Sequence, residues 1–437
     1  MEVSRVEVRP GVWLTHLRED KFKTACFSVS LLSQLSRDTA AMNALIPFVL
    51  RRGTRLYPDM EALNARFEEL YGTAIEPSVR RIGEIQCSGF YASFPEDDFL
   101  PKGESVLKEA LELTFEMLLS PVTRGGLFLP AYVESERDNL LDLIASRLNN
   151  KRAYALTRCL EEMCCCEDFA VSRYGDEETC RSINYKKLSR HYKAMLQEAP
   201  LELFYCGRAS LDRVRRLLRG LLAPLPRGEV NTEIGTEIRM NALADQPRYT
   251  EEQMDVAQAN LVIGWRLGEC MEDPDFPALY VFNDLFGGSP SSRLFLNVRE
   301  KLSLCYYASS IIDVRKGLLL VSSGIQEKNY DAAKEEIFSQ LEALQRGAGF
   351  PLCIPVTLIS GDGGSHIFQN AFSLVKRDVL RQERNAQATS QSYLSFVRFQ
   401  LSGQNGQKSG LSGAVDPHDS DAVRIFYANG DIRQDIL

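Results

Sequence analysis

The stretch NDLFGGSPSSRLFLNVREKLSLCYYASS, residues 283–310, contains the end of one helix, a glycine-rich turn, a second helix and the start of a strand. Its apolar spacing predicts helices over about 276–286 and 292–302, separated by Gly-Gly-Ser-Pro. Strand patterns follow over 306–314 and 318–325. Helices that alternate with strands partly arranged in meanders indicate an α+β fold rather than a doubly wound parallel sheet.

The first half of the chain repeats this pattern at an offset of 234 residues. The offset places the strand pattern of 25–31 on that of 259–265, and Gly53 on Gly287. Helices are also predicted over 38–51, 59–70, 104–119, 130–148, 150–165, 210–222 and 330–345, and strands over 6–14, 25–32, 75–94, 201–206 and 256–267. The repeat predicts two homologous domains.

The domain boundary is predicted at a stretch rich in proline and glycine. We expect an N-terminal domain over 1–222, a linker over 223–240 and a C-terminal domain over 241–437. Residues 350–437 are atypical, because they contain a single glutamate and several Gly/Ser/Gln-rich stretches. Either this segment is disordered, or the reading frame is shifted near residue 348.

Composition excludes several classes of protein. A net charge of −8 argues against a nucleic-acid partner. No apolar run is long enough to span a membrane, and the first ten residues lack the features of a signal peptide, so we expect a cytoplasmic protein. The eleven cysteines are expected to be free thiols, and the run Cys164-Cys165-Cys166 lacks the paired spacing of a zinc ribbon.

The quoted stretch resembles the C-terminal domain of insulinase/pitrilysin-type metallopeptidases and of mitochondrial processing peptidase subunits. The resemblance covers most of residues 1–346 and implies a clamshell of two domains, each with a mostly antiparallel sheet and helices on one face. It implies that Arg299 and Tyr306 hold the backbone of a peptide substrate, and that Gly287 and Gly288 contact it. The alternatives are a surface ion pair of Arg299 with Glu300, a half-buried Tyr306, and a plain helix-connecting turn.

Active members of that family carry an H-x-x-E-H motif, in which two histidines bind zinc and the glutamate is the general base. The corresponding helix here reads NALIPFVLRRGT, and the motif positions hold Ala44, Pro47 and Phe48. A later glutamate ligand of the family is matched by Leu143. The four histidines, His16, His191, His366 and His418, form no pair within five residues and are each expected at the surface or in a loop. We therefore expect no catalytic residue, no metal and no zinc.

The runs ERDNLLDLI and RYGDEE, with Asn150-Lys151, also resemble a bacterial subgroup linked by name to modification of elongation factor P. In that subgroup a degenerate member is paired with an H-x-x-E-H homologue. The resemblance implies a non-catalytic subunit that binds a peptide or protein substrate with that partner. Two alternatives are a stand-alone peptide-binding or scaffold protein, and an active zinc metalloendopeptidase with a rebuilt site. The ligands available to such a site are Glu134, Glu136, Glu161, Glu162 and His191.

Overall fold

The computed structural model describes residues 2–239, 247–254, 256, 258–274, 276–346 and 422–427. They divide into two compact units. The first contains the described residues up to Asn150 together with Cys164–Glu237. The second contains Lys151–Met163 and the described residues from Ile238 onward.

A six-stranded sheet forms the centre of the first unit. The strands of this unit are β1 (Glu2–Arg9), β2 (Val12–Arg18), β3 (Thr24–Gln34), β4 (Ala74–Ile82), β5 (Ile85–Pro95), β6 (Thr123–Arg124), β7 (Leu127–Phe128) and β8 (Leu201–Gly207). Strands β6 and β7 form a separate two-stranded ribbon. The order in the large sheet is β1-β2-β8-β3-β5-β4, and only the neighbours β2 and β8 are parallel.

One face of this sheet is apolar because alternate residues of each strand point to it. Phe27 and Val29 of β3 and Leu203 of β8 are at most 1% exposed and belong to the core of the unit. Helical residues such as Leu45 and Leu111 belong to the same core. The helices of the first unit therefore cover this face.

The helices encoded by the first half of the chain are mostly amphipathic, and several begin at a side-chain cap. They are α1 (Arg37–Leu50), α2 (Met60–Glu69), α3 (Leu107–Leu119), α4 (Pro130–Ala145), α5 (Lys151–Met163), α6 (Glu177–Arg181), α7 (Tyr185–Glu198) and α8 (Leu211–Leu221). Asp59 accepts a hydrogen bond from the backbone N–H of Ala62, which fixes the start of α2.

The second unit has a five-stranded sheet with the order β11-β12-β10-β13-β9. Its strands are β9 (Arg248–Gln253), β10 (Ala259–Arg266), β11 (Cys305–Asp313), β12 (Leu318–Ile325) and β13 (Ala422–Tyr427). Only β10 and β13 are parallel neighbours. The helical segments are α9 (Phe276–Asn283), two π-helical segments (Asp284–Gly288 and Leu294–Lys301) and α10 (Tyr330–Gln345). The predicted α+β class with mostly antiparallel sheets is confirmed.

Helix α5 belongs to the second unit and packs on β10. In the sequence it precedes residues Cys164–Glu237, which belong to the first unit. Every residue of β10 is buried. The approach is close at Gly264, where an added Cβ would lie 2.2 Å from Met163 Sδ. Arg266 also donates a hydrogen bond to the Met163 carbonyl at 2.7 Å. A strand buried on both faces explains the continuous apolar run of the sequence here.

These units differ from the predicted domains 1–222 and 241–437 in two places. Helix α5 groups with the second unit, and most of the predicted linker 223–240 lies along the first. Arg227 donates to the carbonyls of Ala199 and Gly11, at 2.7 and 3.2 Å. Of the predicted atypical segment 350–437, only 422–427 are described, so its two interpretations lie outside the described residues.

Several predicted elements need correction. The single strand predicted over 6–14 is wrong, because the chain turns at Gly11 with φ +68° and forms the β1–β2 hairpin. Helix α7 and strand β9 were not predicted. The apolar face of α7 is formed by few residues, among them Leu188 and Met195, in a segment rich in lysine and arginine.

None of the helices in the described ranges is long and apolar enough to cross a membrane.

Candidate functional site

The degenerate motif lies on α1, the most deeply buried helix of the first unit. Ala44 is 0% exposed, Pro47 is buried and Phe48 is half-buried. Helix α1 continues past Pro47, whose carbonyl accepts from the N–H of Arg51 at 3.1 Å. None of these three side chains can bind a metal ion or accept a proton from water.

Polar side chains around the motif are bonded to each other. Asn43 Nδ2 donates to Gln86 Oε1 at 2.9 Å and to Ser33 Oγ at 3.0 Å. Asn43 Oδ1 lies 2.5 Å from Nε2 of His191 on α7. Burial, with a smaller effect from Lys187, holds the pKa of His191 below its ordinary value. The Nε2 atom of His191 is therefore engaged with an amide of α1.

The position that the resemblance matches to a later zinc ligand of the family lies on α4, which packs against α1. It holds Leu143, whose side chain is 39% exposed. Glu136, two turns earlier, forms an ion pair with Arg52 at 2.7 Å between Oε1 and Nε. Arg52 Nη2 also donates to Ser135 Oγ. These contacts join the end of α1 to α4.

The alternative set of metal ligands is distributed over both units. Glu161 and Glu162 lie on α5 and pair with Arg158, at 2.7 and 2.9 Å. Glu136 and His191 belong to the first unit, where Arg52 and Asn43 contact them. Glu134 is exposed on α4. Throughout the described ranges, no group of three or more His, Cys, Asp or Glu residues could hold a metal ion.

Tyr306 lies at an irregularity in the pairing of β11 with β12. Cys305 faces Ile325, and Tyr307 faces Gly324, so Tyr306 is the additional residue of a β-bulge. Its side chain is 57% exposed, and its hydroxyl accepts from Gln326 Nε2 at 3.3 Å. A bulge reorients a side chain that regular pairing would place differently. Tyr306 is therefore more exposed than the half-buried strand residue considered as an alternative.

Arg299 lies on the second π-helical segment, directly before β11. Its guanidinium is 3.3 Å from Glu300 and stacks 4.6 Å from the ring of Phe295. The side chain is 40% exposed. The predicted surface ion pair is thus present, and the exposed part of the guanidinium keeps donors available to a ligand.

The two glycines of the turn have different environments. Gly287 is buried, and an added Cβ would lie 2.6 Å from the backbone nitrogen of Ser310. Gly288 is exposed, and its nearest contact would be Asn283 Nδ2 at 3.0 Å. Gly287 therefore permits the approach of β11, and only Gly288 is placed to meet a ligand.

Two clusters on α5 were not found by sequence reasoning. Arg152 stacks 4.0 Å from the ring of Tyr307 and donates to Ser309 Oγ at 2.8 Å. Arg158 Nε donates to Glu252 Oε1 at 2.7 Å, and Tyr154 donates to Glu252 Oε2 at 2.7 Å. No short motif links these residues, because their partners are about 100 to 160 positions away in the chain.

Comparison with known proteins identifies the family. A family model described as "Peptidase M16 inactive domain" matches residues 182–351. The chain is 31% identical over 353 residues to the "Probable inactive metalloprotease YmfF" of Bacillus subtilis, covering 79% of this chain and 80% of that protein.

Solved structures agree on the fold. A conserved protein from Enterococcus faecalis matches with a TM-score of 0.72 and 25% identity, over 98% of this chain and 99% of that chain. A peptidase M16 inactive domain from Pseudomonas fluorescens matches with a TM-score of 0.63 and 15% identity, over the same shares. On these matches and on the residues described above, the chain belongs to the M16 family, the insulinase/pitrilysin-type peptidases.

Proposed function

We propose that this chain is a non-catalytic M16 homologue that pairs with a catalytic zinc metallopeptidase homologue and helps to bind its peptide substrate. The observation that carries the proposal is the composition of the motif on α1. Ala44, Pro47 and Phe48 supply neither zinc ligands nor a general base. The name of its Bacillus subtilis relative, a probable inactive metalloprotease, supports the same reading.

Zinc is not part of the proposed function. Leu143 occupies the third ligand position, and Glu136 is already paired with Arg52. Asn43 Oδ1 engages Nε2 of His191, whereas a zinc ion would need an imidazole nitrogen without such a contact. These contacts favour a helix pair held by side chains over one held by a metal ion.

Peptide binding is supported by the arrangement around β11. This strand lies at one edge of the sheet formed by the described strands of the second unit. An exposed edge can pair with an extended peptide through backbone hydrogen bonds. Tyr306 on that strand and Arg299 just before it offer a phenol and a guanidinium, which both donate to peptide carbonyls. Gly288 is exposed at the turn that precedes them.

The test is co-expression with the H-x-x-E-H homologue encoded in the same genome. Native mass spectrometry is expected to show one complex at the summed mass, with zinc bound only through the catalytic chain. Fluorescence anisotropy with a labelled peptide is expected to show tighter binding to the complex than to the catalytic chain alone.

Three results would reject all or part of this function. Two separate chains that do not associate, with peptide bound by this one, would indicate a stand-alone peptide-binding protein. Chains that neither associate nor bind peptide would reject both parts of the proposal. One equivalent of zinc on this chain, with chelator-sensitive cleavage of peptides, would show an active enzyme with a rebuilt site.

A further inference from the structure

Cys26 and Cys206 lie directly opposite each other on neighbouring strands of the first unit. They are paired residues in the antiparallel register of β3 and β8. Directly opposed residues in such a pair have Cα atoms about 4.5 to 5.5 Å apart. A disulfide spans Cα separations of about 4.4 to 6.8 Å, so this register can accommodate one without moving the backbone.

Both sulfurs lie on the face of the sheet opposite the helical core. Alternation along β3 directs Ala25 and Phe27 into the core, and Cys26 between them to the other face. On β8, Tyr205 points into the core and Cys206 points away from it. Both cysteines are half-buried free thiols, which leaves them accessible to a small reagent.

Tyr91 of β5 lies on the same side of the sheet as Cys26, because it pairs with Ser28, two residues along β3. The thiol of Cys206, the hydroxyl of Tyr91 and the backbone N–H of Cys206 all lower the pKa of Cys26. The hydrogen bond from Cys206 is the largest cause that lowers the pKa of Cys26, to about 7 despite burial. The same bond, with burial, raises the pKa of Cys206. Because β3, and not β8, is the neighbour of β5 and its Tyr91, this arrangement favours Cys26 as the nucleophile and Cys206 as the resolving thiol.

Two other buried thiols of this unit, Cys87 and Cys180, have raised pKa values. Burial raises the pKa of Cys87, on β5, to about 11. Burial likewise raises the pKa of Cys180, on α6, to about 11. The difference between these sites comes from hydrogen bonding, because all of these thiols are at least partly withdrawn from water.

We propose that Cys26 and Cys206 form a reversible cross-strand disulfide by exchange with a low-molecular-weight disulfide such as glutathione disulfide. The Cys26 thiolate attacks one sulfur of the reagent, forming a mixed disulfide and releasing one thiolate, which takes up a proton. Cys206 then loses its proton to solvent, attacks the Cys26 sulfur and expels the second thiolate. The protein dithiol is oxidised, and one reagent disulfide is reduced to two thiols.

The new bond joins β8 to β3 across 180 residues of chain, counted from 26 to 206. It would restrict the unfolded chain and hold the central pair of strands together. The expected consequence is a midpoint of thermal unfolding higher by about 5 °C in the oxidised protein.

The experiment uses the full chain carrying Cys165→Ser and Cys166→Ser, which removes two exposed neighbouring thiols. The reduced protein is incubated with glutathione disulfide at pH 7.5. Remaining thiols are then alkylated under denaturing conditions, and peptides are identified by mass spectrometry. We expect a Cys26–Cys206 linked peptide, while Cys87 and Cys180 are recovered alkylated.

Single substitutions distinguish the nucleophilic thiol from the resolving thiol. Cys206→Ser should retain a glutathione adduct on Cys26, whereas Cys26→Ser should leave Cys206 unmodified. Tyr91→Phe should slow adduct formation several-fold at pH 7 and shift the thiol titration of Cys26 upward. The fold should tolerate this last change, because the Tyr91 side chain is 43% exposed.

Two outcomes would overturn the proposal. One is a protein without the linked peptide, in which Cys26 is modified no faster than Cys87. The other is an adduct that persists on Cys26 while Cys206 is present, which would show that Cys206 does not resolve it.

Discussion

Asn43 Oδ1 and His191 Nε2 lie 2.5 Å apart, and this contact joins α1 to α7 beside the degenerate motif. Asn43 Nδ2 already donates to Gln86 and Ser33, so Oδ1 is the acceptor and His191 carries its proton on Nε2. The contact thus assigns both the amide orientation and the imidazole tautomer.

His191→Ala is expected to destabilise the protein by about 2–3 kcal/mol, because it leaves Asn43 Oδ1 without its partner and opens a cavity. Urea unfolding at pH 7.5 measures the loss. His191→Gln is the matched control, since its amide can donate to the same oxygen and should restore part of the stability. Equal losses in the two variants would contradict a role for the hydrogen bond.

The same histidine predicts a pH dependence. Its pKa is lowered in the folded protein by burial and then by Lys187, whereas the unfolded chain has a pKa of about 6.5. The unfolded state therefore binds more protons as the pH falls, and stability rises with pH. The contribution is complete above about pH 6.5 and declines below it, toward the folded pKa. Comparing wild type with His191→Gln between pH 7.5 and 5.5 should show a smaller decline in the variant.

Gly287→Ala is expected to cost about 2–3 kcal/mol of unfolding free energy, because the new methyl would lie 2.6 Å from the Ser310 backbone nitrogen. Gly288→Ala should cost less, since its nearest atom is 3.0 Å away on the Asn283 side chain. Gly220→Ala on α8 is the control, because nothing lies within 4 Å and alanine favours a helix. Similar stabilities for the Gly287 and Gly220 variants would show that close approach of β11 is not required.

The parts of the fold that sequence predicts best are those with strong local signals. Helix α10 begins and ends at Tyr330 and Gln345, as predicted, because its apolar residues repeat at helical spacing. The start of α2 was predicted close to Asp59, whose side chain forms the cap. Such signals lie within a few residues of the element that they define.

Features made by distant contacts could not be predicted in this way. His16 and His191 were expected at the surface or in a loop. Instead, His16 is 3% exposed and bonds to the Ala209 carbonyl, 193 positions away. The placement of α5 in the second unit depends on Gly264, which no local pattern links to Met163. His366 and His418 lie outside the described residues.

The candidate site also combines features that have a local sequence signal with features that depend on distant contacts. The match of positions 44, 47 and 48 to the motif comes from sequence alone, because a motif has fixed spacing on one helix, and it stays a prediction. The exposure of Tyr306 could not, because it depends on a bulge in the pairing of β11 with β12. The roles of Arg299, Tyr306, Gly287 and Gly288 in substrate binding remain predictions.

Arg158→Ala is expected to destabilise the second unit by about 2–3 kcal/mol, because it leaves three carboxylates of one cluster without their shared cation. Burial opposes the charge on Arg158, but hydrogen bonds to Glu161 and Glu252 outweigh it and raise its pKa. Arg158→Lys keeps the charge but loses the planar set of donors, so it should recover only part of the stability. Urea unfolding compares the three proteins, and a lysine variant as weak as the alanine variant would assign the effect to geometry alone.

Tyr306→Phe is expected to weaken peptide binding by the complex up to about tenfold, because it removes one hydroxyl that can donate to a peptide carbonyl. Arg299→Ala should have an equal or larger effect, since a charged donor is lost. Stability should change little in Tyr306→Phe, because the side chain is 57% exposed and the hydrogen bond that its hydroxyl accepts from Gln326, at 3.3 Å, is long.

Arg315→Ala provides the matched control for these two variants. Arg315 is 39% exposed, pairs with Glu272 and lies in the turn after β11, so its loss removes the same charge beyond the opposite end of the strand from Tyr306. Anisotropy of a labelled peptide, measured with each variant in the co-expressed complex, should show weaker binding for the Tyr306 and Arg299 variants only. If all three variants bind like wild type, β11 is not the peptide-binding edge, and the edge strand β4 of the first unit becomes the next surface to mutate.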